Sequence, residues 1–132
     1  MKPTNEQVKQ LGMVFTPTAL VNEMLDKLEE TAPETFKDKT KTFLDNSCGQ
    51  GAFLIAVLER KLANGIELID ALKTIYGVDI DNGNVIECRR LLSMGTDSEE
   101  ILKVLEHNII CADALDPKHS GWKTVGYMWD AI

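Results

Sequence analysis

Three aspartates, Asp45, Asp79 and Asp113, each close a short apolar run: Phe43-Leu44, Ile75-Tyr76-Gly77-Val78 and Asn108-Ile109-Ile110-Cys111-Ala112. Aspartate is a poor strand residue and a common turn residue, so any one of them could be strand termination and nothing more. Three on successive strands of a parallel sheet would line one rim of it, at the carboxyl ends where such sheets bind ligands. The turn after the first aspartate contains Gly49-Gln50-Gly51, and glycine lets a ligand approach the backbone closely.

A ligand matching that rim needs a cationic or donor-rich part near Asp45, a vicinal diol near Asp79 and an exocyclic amine near Asp113. S-adenosylmethionine carries all three, as an ammonium, a ribose and an adenine N6. Nucleotide diphosphates fit less well, because Gly49-x-Gly51 lacks the third glycine of the dinucleotide fingerprint and no basic residue flanks it. The acid after the second strand is common to both ligand classes. Other chemistries find little support. Cys48, Cys88 and Cys111 form no CxxC pair and have no pairing parity, so neither a disulfide framework nor a zinc site is expected. His107 and His119 lie beside no obvious nucleophile or ligand partner and read as ordinary surface or structural histidines.

The elements that must hold the aspartates follow from periodicity. Thr16 as N-cap and Pro17 at the first helical position open a helix whose Leu20, Val21, Met24, Leu25 and Leu28 make one apolar stripe. Residues 31–42 read as a surface connection. From Ala52 an apolar helix carries Leu54, Ile55, Leu58 and Leu62 and stops at Asn64-Gly65. A helical piece over 66–73 leads into the second strand. Asn82 can cap the next helix, with Val85, Cys88 and Leu92 on one face, and Asp97 with Glu100 predicts a capping box for another carrying Ile101, Leu102 and Leu105. The third strand covers 108–112, and residues 127–132 read as a fourth. Strands alternating with helices predict an α/β fold with a parallel sheet and flanking helices.

The chain has 132 residues, 44% hydrophobic and 27% charged, which suits a single globular domain over 1–132 rather than a disordered or fibrous chain. No apolar run approaches the roughly 20 residues that span a bilayer, and the polar N-terminus lacks the apolar core of a secretory signal, so a cytoplasmic protein with no membrane partner is expected. The net charge of −7 is the wrong sign for a chain that must neutralise phosphates unaided. Any nucleic-acid substrate has to be held mostly by another segment or subunit.

The runs Gly12-Met13-Val14-Phe15-Thr16-Pro17, Leu44-Asp45-Asn46-Ser47-Cys48-Gly49-Gln50-Gly51-Ala52-Phe53-Leu54, Tyr76-Gly77-Val78-Asp79-Ile80-Asp81 and Asn108-Ile109-Ile110-Cys111-Ala112-Asp113-Ala114-Leu115 occur in that order. Together they resemble the N-terminal, cofactor-binding half of adenine-specific N6 DNA methyltransferases of the restriction-modification type. The resemblance runs from about residue 10 to the end, and its most specific element is Asp-x-x-Cys-Gly-x-Gly-x-Phe-Leu. It implies a Rossmann-like class I S-adenosylmethionine-dependent methyltransferase fold, here a partial parallel sheet of about four strands in the order 3-2-1-4. Phe15 and Thr16 then match the N-terminal cofactor motif, with Thr16 near the methionine carboxylate or serving only as a helix cap. Asp45, Gly49 and Gly51 match the loop around the methionine moiety, with Cys48 packing inside it rather than acting as a nucleophile. Asp79 matches the ribose acid, Ile80 the adenine-face contact and Asp113, followed by Ala114, the acceptor for the adenine amine. Leu115 closes the other side of the ring or belongs to the core.

Two departures matter. Asn46 replaces the family's usual proline after the first acid, which changes loop stiffness more than chemistry. The catalytic Asn/Asp-Pro-Pro-Tyr/Phe tetrapeptide, which in the family follows strand four, does not occur, and Asp116-Pro117 is no substitute. The expectation is therefore the S-adenosylmethionine-binding portion of an adenine-N6 DNA methyltransferase, inactive alone, with DNA held by segments not in this chain. A non-catalytic cofactor-binding or methyltransferase-modulating module is the alternative from another class, and a fragment of an RNA, protein or small-molecule methyltransferase is a third. An apolar fourth strand left at an edge invites self-association or a partner through 127–132.

Overall fold

A computed structural model describes residues 18–113 of the chain. Helix α1 (Thr18–Thr31) leads to strand β1 (Phe43–Asp45), followed by helix α2 (Ala52–Ala63), the short helix α3 (Leu68–Leu72) and strand β2 (Ile75–Asp79). Helix α4 (Asn82–Leu92), helix α5 (Glu99–Asn108) and strand β3 (Ile109–Cys111) complete the order. The three strands are parallel and lie in the order β1-β2-β3, with Asp45 opposite Gly77 and Asp79 opposite Cys111. This is the expected α/β architecture of a parallel sheet flanked by helices. The fourth strand at 127–132 lies outside the described residues.

The crossovers step in one direction across the sheet. Right-handed connections of that kind put every crossover helix on the same face, and the core confirms it. Phe43, Ile75 and Ile109 share one sheet face with Val21 and Leu25 of α1, Leu54 and Leu58 of α2, Leu72 of α3, Val85, Cys88 and Leu92 of α4 and Leu105 of α5. Val78 and Ala112, with Ile110 against them, form a separate small cluster.

Local details depart from the sequence expectations in instructive ways. Asp81, not Asn82, caps α4, its side chain accepting from Asn84 N at 3.0 Å. Ser98, not Asp97, caps α5 by accepting from Ile101 N. In both cases two neighbouring polar residues could reach the first-turn N–H groups, and backbone position decides between them. Asn108 ends α5 instead of starting β3, because its side chain donates to Leu72 O at 3.0 Å and ties the helix end to α3. The helical piece of 66–73 narrows to α3. The connection over 31–42 is not wholly surface: Phe36 is buried and stacks on Phe43, ring centroids 5.3 Å apart. Of the α1 stripe only Val21 and Leu25 are buried, whereas Leu20 and Met24 are 47% and 50% exposed.

Candidate functional site

β1 and β2 are neighbours and each ends on its aspartate, Asp45 opposite Gly77 and Asp79 two residues further along β2. The chain leaving β1 turns at once. Ser47 N donates to Asp45 Oδ1 at 3.1 Å, an Asx turn, and Cys48 N donates to Val78 O at 2.9 Å, which fastens the loop to the end of β2. Gly49 and Gly51 both have left-handed backbone, φ +55° and +96°. Gly51 is doubly required, because a Cβ there would stand 2.8 Å from Cys88 Sγ. Gly77 is needed for space: a Cβ on it would meet Leu54 Cδ1 at 2.8 Å and Cys48 Cβ at 3.1 Å. The loop therefore lies directly on the strand, with the Cys48 thiol buried beneath it.

Asp79 organises the rim. Its Oδ2 accepts from Gly49 N at 2.9 Å, while Oδ1 accepts from Asp81 N at 2.8 Å and from Asn84 Nδ2 at 3.4 Å. One carboxylate thus joins the glycine loop, the turn after β2 and the first turn of α4. Ala112 N donates to Asp79 O at 3.0 Å, bringing the end of β3 to the same place. Asp113 follows, half-buried, two residues past β3. Ile80 is 73% exposed immediately beyond Asp79, an apolar side chain presented to solvent at the rim.

The electrostatics are those of a place short of positive charge. Burial raises the Asp45 pKa, the Ser47 N–H counters it in part and the nearby Asp79 charge raises it further. Among the described residues no cation pairs with Asp45. Hydrogen bonding with Cys88 and burial push the Cys48 thiol well up, so it stays protonated and packs rather than attacks. Helix α2 has Gly51 as its N-cap, with no side-chain cap and no acid in its first turn, so no side chain of the helix start competes with an anion for its leading N–H groups.

Of the residues predicted from sequence, Asp45, Cys48, Gly49, Gly51, Asp79, Ile80 and Asp113 fall on or beside this rim, while Phe15, Thr16, Ala114 and Leu115 lie outside the described residues. Asp81 and Asn84 were not anticipated as part of it. Their signal in the sequence was Asp79-Ile80-Asp81 followed by Asn84, which reads locally as turn and cap residues and gives no hint that the Asn84 amide turns back to Asp79. Among the described residues no cluster of three metal-ligating side chains occurs and no helix is long and apolar enough to cross a membrane. Fold and rim define the class as an α/β domain with a three-strand parallel sheet whose carboxyl edge carries acids around a glycine loop. No family model, curated protein or solved structure matches the chain.

Proposed function

We propose that this chain is the S-adenosylmethionine-binding portion of an adenine-N6 DNA methyltransferase. The observation that carries the reading is the placement of Asp45 and Asp79 at the ends of two neighbouring strands around the Gly49–Gly51 turn, with Gly49 N held by Asp79. When bound, the cofactor supplies an electrophilic methyl group on its sulfonium. The chain's own residues do the holding. Asp45, half-buried and without a cation, accepts the ammonium end, and the resulting charge pairing offsets the cost of its burial. The uncapped N-terminus of α2 meets the carboxylate of the same methionine end. Asp79 accepts from the ribose, Ile80 covers the adenine face and Asp113 accepts from the adenine amine.

The assignment to DNA and to adenine N6 rests on the motif order and on the Asp-x-x-Cys-Gly-x-Gly-x-Phe-Leu run. The acidic balance of −7 agrees with a division of labour in which another segment or subunit carries the DNA. Self-association or a partner chain through residues 127–132 is part of the same reading.

Calorimetry with S-adenosylmethionine tests it. The expected result is saturable binding that Asp79→Ala weakens by about 1–3 kcal/mol, the cost of losing hydrogen bonds to a charged group. Absence of binding in the chain, alone or supplied with a methyltransferase partner, overturns the proposal. Tight binding with no DNA methylation in any reconstituted mixture replaces it with a cofactor-sensing module.

A further inference from the structure

A carboxylate has about four lone-pair positions, and the protein already uses three on Asp79. Oδ1 takes two donors, Asp81 N at 2.8 Å and Asn84 Nδ2 at 3.4 Å, while Oδ2 takes only Gly49 N at 2.9 Å. A vicinal diol brings two hydroxyls side by side. Only one of them finds an open position, on Oδ2, unless an existing donor withdraws.

The three donors are not equally replaceable. Gly49 N and Asp81 N are backbone groups fixed by their turns. Asn84 is a half-buried side chain whose contact is the longest of the three and near the limit of a hydrogen bond. Its own backbone is pinned, because Asn84 N donates to the capping Asp81 at 3.0 Å. The amide therefore sits at a fixed distance from Asp79 but is free to rotate its head group away. An amide carries both donors and an acceptor, so it can meet a hydroxyl in either sense.

We propose that Asn84 is a positioning and specificity residue of this rim, orienting the Asp79 carboxylate when the site is empty and taking the second hydroxyl of a vicinal diol when a nucleoside binds. The proposal rests on the ribose reading of Asp79 given above. Asp79 Oδ2 takes one hydroxyl and the Asn84 amide takes the other, while Asp81 N keeps the carboxylate from turning. A sugar lacking the hydroxyl at Asp79 Oδ2 leaves that position without a partner, which is how such sites reject deoxy analogues, and one lacking the other hydroxyl leaves the Asn84 amide on Asp79 Oδ1 and forgoes the added contact.

The test uses the full chain, wild type and Asn84→Ala, with S-adenosylhomocysteine and its 2′-deoxy and 3′-deoxy ribose forms as calorimetric probes. Wild type is expected to prefer the intact diol over both deoxy forms. Asn84→Ala is expected to reduce that preference about 3- to 10-fold against one of them, the worth of one hydrogen bond. Alanine is a better helix former than asparagine, so the variant folds. A second readout needs no ligand: amide hydrogen exchange at Gly49 N is expected to accelerate several-fold as the Asp79 carboxylate loses its lateral support. A diol preference that Asn84→Ala leaves unchanged overturns this inference alone. No binding of any of the three probes to wild type overturns the ribose reading and this inference with it.

Discussion

Asp45 carries the sharpest conflict between stability and use. Its folded pKa lies above the ordinary aspartate value, first because of burial and then because of Asp79. The folded state therefore binds more protons than the unfolded chain between about pH 3.9 and the raised value, and this group's contribution to stability falls as pH rises through that window. Asp45→Asn removes the buried charge. It is expected to raise the unfolding midpoint at pH 7, to flatten stability against pH over the same window, and to weaken S-adenosylmethionine by about tenfold or more through loss of a charge-assisted contact. Thermal unfolding and calorimetry on one preparation check both directions, and a destabilised variant would count against the electrostatic assignment. Gly51 makes the complementary case in sterics. Gly51→Ala imposes a side chain at φ +96° and drives Cβ to 2.8 Å from Cys88 Sγ. The backbone alone costs about 1–3 kcal/mol. In a Cys88→Ala background urea unfolding is expected to show a smaller penalty, with a coupling of about 0.5–3 kcal/mol between the two positions.

At the scale of elements, α2 is the helix on which both ends of the sheet depend, and its two ends act differently. Its N-terminus belongs to the glycine loop. Near its C-terminus Lys61 is fully buried, its Nζ donating to Lys41 O at 2.8 Å and Thr74 Oγ1 at 2.9 Å and lying 5.2 Å above the Phe43 ring. Those partners precede β1 and β2, so Lys61 ties the strand starts together at the end opposite the acids. Burial lowers its pKa. Lys61→Ala is expected to cost about 2–4 kcal/mol through the cavity and the abandoned acceptors, whereas Lys61→Met, which keeps the stem and removes a desolvated charge, costs less. Chemical denaturation of the pair distinguishes a packing role from a purely ionic one. Lys61 was invisible in the sequence because a lysine in a helix reads as solvated. The ends of β1 and β2 at their aspartates, the run from Ala52 to Leu62 and the shared face of Val85, Cys88 and Leu92 were legible, since period and apolar length are local properties, whereas β3 is shorter than the 108–112 expected. Caps slipped by one residue at Asp81 and Ser98, because two adjacent polar side chains compete and only the fold decides. Phe36 was missed because its burial comes from stacking on Phe43 and joining the helical core, contacts that the mixed-charge pattern of its own segment does not show.

For the whole molecule the decisive feature is that every described helix packs on one face of the sheet. Phe43, Ile75 and Ile109 point into that core, while Leu44, Tyr76, Val78, Ile110 and Ala112 alternate to the other side. A parallel sheet is stable when both faces are covered. Val78 and Ala112 are nonetheless buried, whereas Leu44, on the strand that ends the order β1-β2-β3, is 38% exposed. Among the described residues β1 therefore stands last in the sheet and carries an uncovered apolar side chain, the combination that favours strand addition, from a fourth strand of the same chain at 127–132 or from another chain. Sedimentation velocity is expected to show concentration-dependent association of the wild-type chain. Leu44→Lys places a charge on that edge without disturbing the helical core and is expected to shift the distribution toward monomer while leaving S-adenosylmethionine affinity within about twofold, since the residue before Asp45 faces away from the rim. A wild-type chain that stays monomeric at high concentration would show instead that this edge is already satisfied within one chain. In that case the acidic rim and its glycine loop form a site within one chain, and association through this edge drops out of the proposed reading.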